Sequence, residues 1–285
     1  MRAQQSLLPD GQRLHLQHGP IDIIAQAFGS ADEVALSYEQ AGRRFDTILL
    51  ELVAELPRLR IPVGPAMPLF TGTVERRMAE AVWPHRSFFI TPMAAVAGAV
   101  AEEVLAAMME GRALDKAYVN NGGDIALHLA GGEALTAGVV TNQDAPALDG
   151  RVVIDAAMPV RGIATSGWRG RSLSLGVADS VTVLAGSAAA ADAAATLVGN
   201  ATDVANQAVQ VAPARSVRDD TDLGDRLVTV DVGELSDDAI QMALDGGARQ
   251  AELLHSRGLI AAAYIALQGA VRVVGGLAAL EREAS

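Results

Sequence analysis

Hydrophobic and polar positions in the first third of the chain alternate between strand-like and helical patterns. Residues 13–16 and 20–25 have the alternation of two short strands. A helix is predicted to begin at Ser30, because Glu33 follows three residues later as in a capping box. Apolar residues then recur at helical spacing, at Phe45, Ile48, Leu49, Leu52 and Val53. The prolines of residues 56–68 predict the end of this helix.

Two more helices are predicted before residue 110. Residues 73–83 are predicted to form a short helix. Thr91 followed by Pro92 is typical of an N-cap with proline at the first helical position, and residues 93–109 are apolar on nearly every side. We expect a buried core helix there rather than a membrane span, because the segment carries two glutamates near its end and many small residues.

Further along the chain, short apolar segments are separated by glycine-rich turns, a pattern typical of antiparallel sheets. The predicted strands are residues 117–119, 125–129, 134–140, 152–154, 162–165, 172–175, 180–184 and 226–232. Helices are predicted at residues 188–198 and 237–254. Residues 259–274 fit either a helix or a hairpin that turns at Gln268 and Gly269, and we expect the hairpin.

The order of these elements predicts the fold class. Apart from the polar loop at residues 215–225, no linker-like or low-complexity stretch divides the sequence. Helices and mainly antiparallel strands in a chain of 285 residues predict an α+β fold, with mixed, mainly antiparallel sheets packed with helices in one compact unit. We expect a single domain over residues 1–285.

Composition and charge restrict the chemistry. With 22 basic and 34 acidic residues the net charge is −12, and we expect no nucleic-acid partner. The absence of cysteine and the presence of one lysine, Lys116, exclude thiolate metal sites, cysteine nucleophiles and a lysine-containing phosphate loop. Oxygen ligands, histidine, arginine, backbone amides and hydroxyls remain. Residues 1–18 are polar and lack the apolar core of a signal peptide, so we expect a cytoplasmic protein without a membrane partner.

The first motif with candidate chemistry is residues 120–124, between two predicted strands. Gly122 and Gly123 allow backbone amides to approach a ligand closely, while Asn121 and Asp124 supply polar donors and acceptors. Asn-Gly is also a strong signal for a plain hairpin turn. Taken alone, the motif favours the turn.

The second motif is Thr165, Ser166 and Gly167 at the end of a predicted strand. Arg169, Arg171 and Ser172 follow. Hydroxyls and guanidinium groups can bind a phosphate without lysine, because the planar fork of arginine matches phosphate geometry. The alternative is a solvated turn with scattered arginines.

The third motif is Asp192 and Thr196 within a predicted helix. A spacing of four places both side chains on one helix face, and a carboxylate with a hydroxyl suits Mg²⁺, which prefers oxygen ligands. The alternative is an exposed aspartate and a threonine bonded to its own helix. The spacing alone favours this alternative.

In their order along the chain, these motifs resemble the ApbE superfamily of FAD-dependent flavin transferases. The likeness also includes residues 18–22, 91–99 and 171–180, and is greatest to a prokaryotic ApbE-like branch. It implies FAD or a related flavin nucleotide and Mg²⁺ as cofactors. It further implies transfer of FMN to a threonine hydroxyl of an acceptor protein, with release of AMP.

The resemblance also implies roles for individual residues. Asp192 and Thr196 match the pair that holds the metal, so they are the candidate catalytic and metal-binding residues. The candidate cofactor-binding residues are Asn121, Gly122, Gly123, Asp124, Thr165, Ser166, Gly167, Arg171 and Ser172. The resemblance thus favours an enzyme, either a Mg²⁺-dependent FMN transferase or an FAD pyrophosphatase.

One departure from the ApbE pattern leaves two other functions open. ApbE enzymes have a His-Ile-Asp-Pro-like segment where residues 171–174 here read Arg-Ser-Leu-Ser. One alternative is a non-catalytic flavin- or nucleotide-binding protein that kept the fold but lost the transferase chemistry. Another is an enzyme for a different phosphorylated or pterin-like ligand. A homodimer is a further expectation, based on the general frequency of symmetric oligomers.

Overall fold

Thirteen strands and six α-helices occur in the part of the chain described by the computed structural model, residues 2–139, 150–170 and 172–276. The α+β fold class with mainly antiparallel strands is confirmed. The chain divides into two units, which are described separately. The first contains residues 1–135, 155–164 and 186–192; the second contains residues 136–154, 165–185 and 193–285. The single domain over residues 1–285 stays a prediction.

The first unit contains a sheet with the strand order β1-β2-β3-β4-β5-β8. These strands are β1 (Gln4–Leu7), β2 (Leu14–His18), β3 (Ile21–Gly29), β4 (Leu114–Asn121), β5 (Asp124–Leu129) and β8 (Gly162–Ser166), of which the last two residues belong to the second unit. Every neighbouring pair is antiparallel. Buried and half-buried side chains alternate along β3, because successive side chains of a strand point to opposite faces.

Three helices pack in the first unit, namely α1 (Ala31–Leu59), α2 (Thr73–Val82) and α3 (Val96–Met109). The predicted N-cap of α1 is confirmed, since the Ser30 hydroxyl accepts a hydrogen bond from the Glu33 amide. The predicted end of α1 is wrong, because the helix continues through Pro57. Leu59 is fully buried at its end, and we attribute the continuation of the helix to this packing.

The apolar segment that precedes and includes α3 begins with a short 3₁₀ turn. Thr91 caps this turn, Pro92–Ala95, and the α-helix starts only at Val96. Within the described residues, Pro92–Met109 is long and apolar enough to cross a membrane, with a mean hydropathy of 1.4. It is 56% buried and α3 packs on α1, β4 and β5, which supports its interpretation as a core helix.

The second unit contains the strand order β8-β9-β12-β13, with β9 (Ser180–Ala185), β12 (Ala262–Leu267) and β13 (Ala270–Gly275). The predicted hairpin at Gln268 and Gly269 is confirmed, and both residues have positive φ, 45° and 83°. Helix α6 (Asp237–Ser256) packs on β12 and β13. A two-stranded sheet of β10 (Val209–Pro213) and β11 (Leu227–Val232), joined through α5 (Ala214–Val217), belongs to this unit.

The remaining regular elements are the pair β6 (Ala134–Val139) and β7 (Gly150–Asp155), and the helix α4 (Ala188–Asn200). The strand predicted at residues 172–175 is wrong, because these residues lie in a loop in which the Ser174 hydroxyl accepts a hydrogen bond from the Gly176 amide. Local side-chain-to-backbone bonds of this kind compete with strand pairing. Strand β1 was not predicted, since its four residues are all exposed and lack an apolar alternation.

Close approach of helices α3 and α4 depends on Gly98. A Cβ atom at this position would lie 2.3 Å from the Ala188 carbonyl oxygen, where only a backbone shift could make room. Small side chains therefore permit this contact between backbones.

We expect Gly98→Ala to lower the free energy of unfolding by at least about 2 kcal/mol, because overpacking against backbone outweighs the roughly 1 kcal/mol that alanine gains in helix propensity. Gly42→Ala in α1 is the matched control, since its Cβ would meet only the end of the exposed, flexible Gln5 side chain. We expect Gly42→Ala to be neutral or slightly stabilising. Urea unfolding measures the free energy of unfolding of both variants. An equal effect of the two substitutions would contradict a special requirement for glycine at position 98.

Candidate functional site

The first motif forms the turn between β4 and β5. Asn121 pairs with Asp124, and Gly122 and Gly123 join the strands with φ of 67° and 114°. The Gly123 amide donates a hydrogen bond to the Asn120 side chain at 2.8 Å. Two consecutive residues with positive φ explain why glycine occupies both positions. These glycines thus have a local structural role, and cofactor binding by them stays a prediction.

Asn121 does more than complete this turn. Its side chain is buried, with 8% of the residue exposed, and its Nδ2 donates to the Ala97 carbonyl oxygen at 3.1 Å. Ala97 lies in the first turn of α3. Asn121 therefore attaches the hairpin to the beginning of this helix.

Asp192 contacts the same helix turn from α4. Its Oδ2 accepts a hydrogen bond from the Gly98 amide at 3.0 Å. Ala95 occupies the N-cap of α3 and supplies no side-chain hydrogen bond to the first amides of the helix. Asp192, which lies on α4, accepts a hydrogen bond from one of these amides instead. The first and third motifs, separated by some seventy residues of sequence, thus meet at the consecutive residues Ala97 and Gly98.

The environment of Asp192 opposes its ionisation. Burial raises the pKa of the Asp192 carboxyl from 3.8 to about 7, although hydrogen bonds from the Gly98 and Ala97 amides act in the opposite direction. The charged carboxylate is therefore poorly solvated at neutral pH. A nearby cation would favour the charged form.

Thr196 follows Asp192 by four residues on α4, so the two side chains share a helix face. Both residues are partly buried. Among the residues that the structure describes, no group of three or more His, Asp or Glu side chains is arranged to hold a metal. A carboxylate and a hydroxyl are oxygen donors, the type of ligand that Mg²⁺ accepts while it keeps several of its waters.

The second motif lies in the second unit, at the end of β8. The hydroxyls of Thr165 and Thr182 are 3.0 Å apart, within hydrogen-bond distance. Gly167 has φ of 154°, and a Cβ there would lie 2.3 Å from the Asp179 carbonyl oxygen. Glycine is therefore required for the close approach of this turn to the loop before β9.

Asp179 organises this turn, a role that the sequence analysis missed. Its carboxylate accepts hydrogen bonds from the Trp168 ring at 3.3 Å, from Arg169 at 3.1 Å and from the Gln268 amide at 2.6 Å. The charge of Arg169 is thus compensated by a carboxylate, which weakens the expectation that this arginine binds phosphate. An Asp directly before a predicted strand was the available signal.

The structure describes two more of the predicted residues of this motif. Ser166 is partly buried, and Ser172 is exposed. Arg171 lies outside the described residues. Cofactor binding by Thr165, Ser166, Gly167, Arg171 and Ser172 stays a prediction.

A cavity of about 420 Å³ occurs elsewhere in the first unit, between the end of β3 and the start of α1. None of the predicted site residues lines it. Its polar groups bond to each other, since the Tyr38 hydroxyl donates to the Gln12 carbonyl and accepts from Ala27, and Gln26 donates to the Gln12 side chain. A ligand would find few free polar groups there, so we do not take this cavity as the functional site.

Comparison with known proteins shows that the chain is similar to UPF0280 proteins. It is 39% identical over 142 residues to a UPF0280 protein of Methanothrix thermoacetophila, a match that covers 50% of this chain and 55% of that protein. It is 33% identical over 189 residues to a UPF0280 protein of Methanothermobacter thermautotrophicus, which covers 65% of this chain and 70% of that protein. The chain thus matches only about half the length of the first of these relatives.

Among solved structures, one aligns with this chain over nearly its full length. A mutant of the flavin transferase ApbE from Vibrio cholerae is 12% identical, with a TM-score of 0.48 and coverage of 96% of this chain and 97% of that chain. The model of the family described as AbpE bacteria matches residues 5–273. This protein therefore belongs to the AbpE bacteria family, in agreement with the resemblance of its motifs.

Proposed function

We propose that this protein binds FAD or a related flavin nucleotide together with Mg²⁺, and acts as an FMN transferase or an FAD pyrophosphatase. Family membership supports a flavin-related function in general. The observation that carries the specific proposal is the position of Asp192 at Gly98, with Thr196 one helical turn further along α4. Two motifs that resemble the flavin transferases in sequence thus meet at one point of the first unit.

The donor set fits a hard, oxygen-seeking cation. A carboxylate and a hydroxyl on one helix face are ligands that Mg²⁺ accepts. The hydrogen bond from Gly98 fixes the direction of the Asp192 carboxylate, because an amide of a helix cannot move independently of that helix. When bound, Mg²⁺ would neutralise charge on the pyrophosphate of FAD and polarise the bond that breaks.

The residues of the chain would contribute orientation and charge. Asp192 would supply the negative charge that holds the cation, and Thr196 a neutral oxygen. Asn121 would keep the β4–β5 hairpin against the start of α3, where its amide already contacts the Ala97 carbonyl.

The proposed reaction breaks the P–O–P bond of FAD. The FMN phosphoryl group goes to the oxygen of a threonine hydroxyl on an acceptor protein, or to water in the pyrophosphatase version. AMP leaves with the bridging oxygen, and the attacking hydroxyl loses its proton. The acceptor protein, the cytoplasmic location and a homodimer belong to this proposal.

One observation favours a second function, a non-catalytic flavin- or nucleotide-binding protein. The segment that replaces the His-Ile-Asp-Pro-like sequence includes a loop fixed by its own backbone contacts. The Ser174 hydroxyl accepts from the Gly176 amide, and the Ser174 carbonyl accepts from the Thr229 amide. The described residues of this loop thus have a structural role and add no acid or base.

Incubation of the protein with FAD and Mg²⁺ should yield FMN and AMP, detected by chromatography. We expect Asp192→Ala to reduce the yield at least about a hundredfold, because the charge that holds the metal is lost. Asp46→Ala, which removes an exposed carboxylate from α1, is the control and should retain full activity.

Calorimetry with FAD on the same variants separates the two functions. Binding without turnover would support the non-catalytic function. Absence of binding to FAD, FMN and ADP by the wild-type protein would contradict both flavin-centred proposals.

The raised pKa of Asp192 predicts how stability depends on pH without metal. The native state holds the Asp192 proton up to about pH 7, whereas the unfolded state releases it near 3.8. The native state thus binds more protons in this window, so the contribution of Asp192 to stability falls as pH rises from about 4 to 7. A shift of three units corresponds to at most about 4 kcal/mol.

Asp192→Asn should remove this contribution while keeping an oxygen that can accept from Gly98. Urea unfolding in EDTA at pH 5 and pH 8 measures the difference between wild type and variant. We expect the variant to lose less stability than wild type between these two values. Parallel losses in the two proteins would show that Asp192 ionises as in the unfolded chain.

A further inference from the structure

The first turns of α3 and α4 each receive a carboxylate from the other helix. Asp192 on α4 accepts from the Gly98 amide of α3 at 3.0 Å. Glu102 on α3 accepts from the Ala189 amide of α4 at 2.7 Å. The two helices therefore cap each other, and each carboxylate lies at the positive end of the partner helix.

The position of Glu102 is itself fixed. Its second oxygen pairs with Arg77 of α2 at 3.1 Å, and Arg77 also bonds to Glu103 at 3.2 Å. The Glu102 side chain is 13% exposed, so the carboxylate of this pair is largely shielded from solvent, whereas the Arg77 side chain is 35% exposed. A charge-assisted bond in such a place holds its geometry better than an exposed one.

The contact between the helices leaves little freedom around these bonds. Gly98 lies so close to Ala188 that a methyl group would not fit between the backbones. The amide of Ala190 is bonded to the Ser187 hydroxyl at 3.3 Å, which leaves the Ala189 amide for Glu102. A change in the Glu102 bond would therefore move the first turn of α4, and with it Asp192 one turn further on.

We propose that Glu102 is a positioning residue that sets the direction of the Asp192 carboxylate through the first turn of α4. The proposal rests on the proposed function, since Asp192 is the ligand that it places for Mg²⁺. Glu102 is not proposed as a ligand of the cation. Its contact with α4 is the hydrogen bond from the Ala189 amide, while its other oxygen pairs with Arg77.

The test compares three variants of the full chain. Glu102→Ala removes the acceptor and the charge, and Glu102→Gln keeps an acceptor oxygen. Glu33→Ala is the matched control: the Glu33 carboxylate also accepts a remote backbone amide, from Ala113 at 2.8 Å, and pairs with an arginine, Arg112 at 3.3 Å, but touches no part of α4.

Two quantities are measured on each variant. Hydrogen exchange reports the protection of the Gly98 amide, which Glu102 does not touch and which bonds to Asp192. Calorimetry reports the dissociation constant for Mg²⁺ alone. Alanine at position 102 favours helix, so a loss of Gly98 protection would not be due to a lower helix propensity of α3.

In Glu102→Ala we expect protection of Gly98 to fall about tenfold and Mg²⁺ affinity to weaken about tenfold, as for other supports of metal ligands. Glu102→Gln should retain most of the Gly98 protection and of the Mg²⁺ affinity. Glu33→Ala should leave these two quantities within twofold of wild type. Unchanged Gly98 protection in Glu102→Ala would overturn the proposal, whatever the metal affinity. An equal loss in Glu33→Ala would also overturn it, because the effect would then be general destabilisation.

The same experiment tests the proposed function separately. If wild type binds no Mg²⁺ but Gly98 protection still falls in Glu102→Ala, the positioning role stands and the metal site is wrong. If wild type binds Mg²⁺ and Glu102→Ala binds it equally well with intact Gly98 protection, the metal site stands and the positioning role is wrong.

Discussion

The contact between the backbones of α3 and α4 at Gly98 is the constraint on which the candidate site depends. Because no side chain separates the helices there, the amide at the start of one helix can meet a carboxylate on the other. A larger residue at Gly98 would push α4 away and break the bond to Asp192. The abundance of alanine and glycine in both segments thus serves a geometric purpose, since it brings polar backbone groups within reach of acidic side chains.

Two opposing effects act on the charged form of the Asp192 carboxylate. A carboxylate at the start of a helix is stabilised by unpaired amides, yet burial withholds water from it. The balance leaves a group whose charge is favoured by the helix and opposed by its surroundings. A nearby cation would favour the charged form.

Much of the fold could be predicted from the sequence, because local signals decide it. The cap at Ser30 and the turn at Gln268 and Gly269 are short-range patterns, and both were confirmed. The end of α1 could not be predicted, since burial of Leu59 outweighs the break expected at Pro57. Tertiary packing of this kind is invisible in a local pattern.

The contacts of the candidate site could be predicted from the sequence less well than the fold. Asp192 was singled out with Thr196 by the resemblance to ApbE enzymes, because their spacing alone favoured a structural role. Its hydrogen bond to Gly98 joins residues 94 positions apart and could not be predicted. Glu102 carried no signal at all, because a glutamate in an apolar helix is normally only a reason to reject a membrane span. Asp179 was likewise missed, although three groups donate to it.

The reciprocal caps also bear on how the chain is made. When α3 leaves the ribosome, Asp192, whose carboxylate accepts from the Gly98 amide, has not yet been synthesised. Ala189, whose amide donates to Glu102, has not been synthesised either. The start of α3 therefore has incomplete hydrogen bonding until nearly a hundred more residues have emerged. At about 5 to 20 residues per second this interval lasts about 5 to 20 seconds. Helices α1 and α2 precede α3 and pack on it, so they can cover part of its apolar surface during that time.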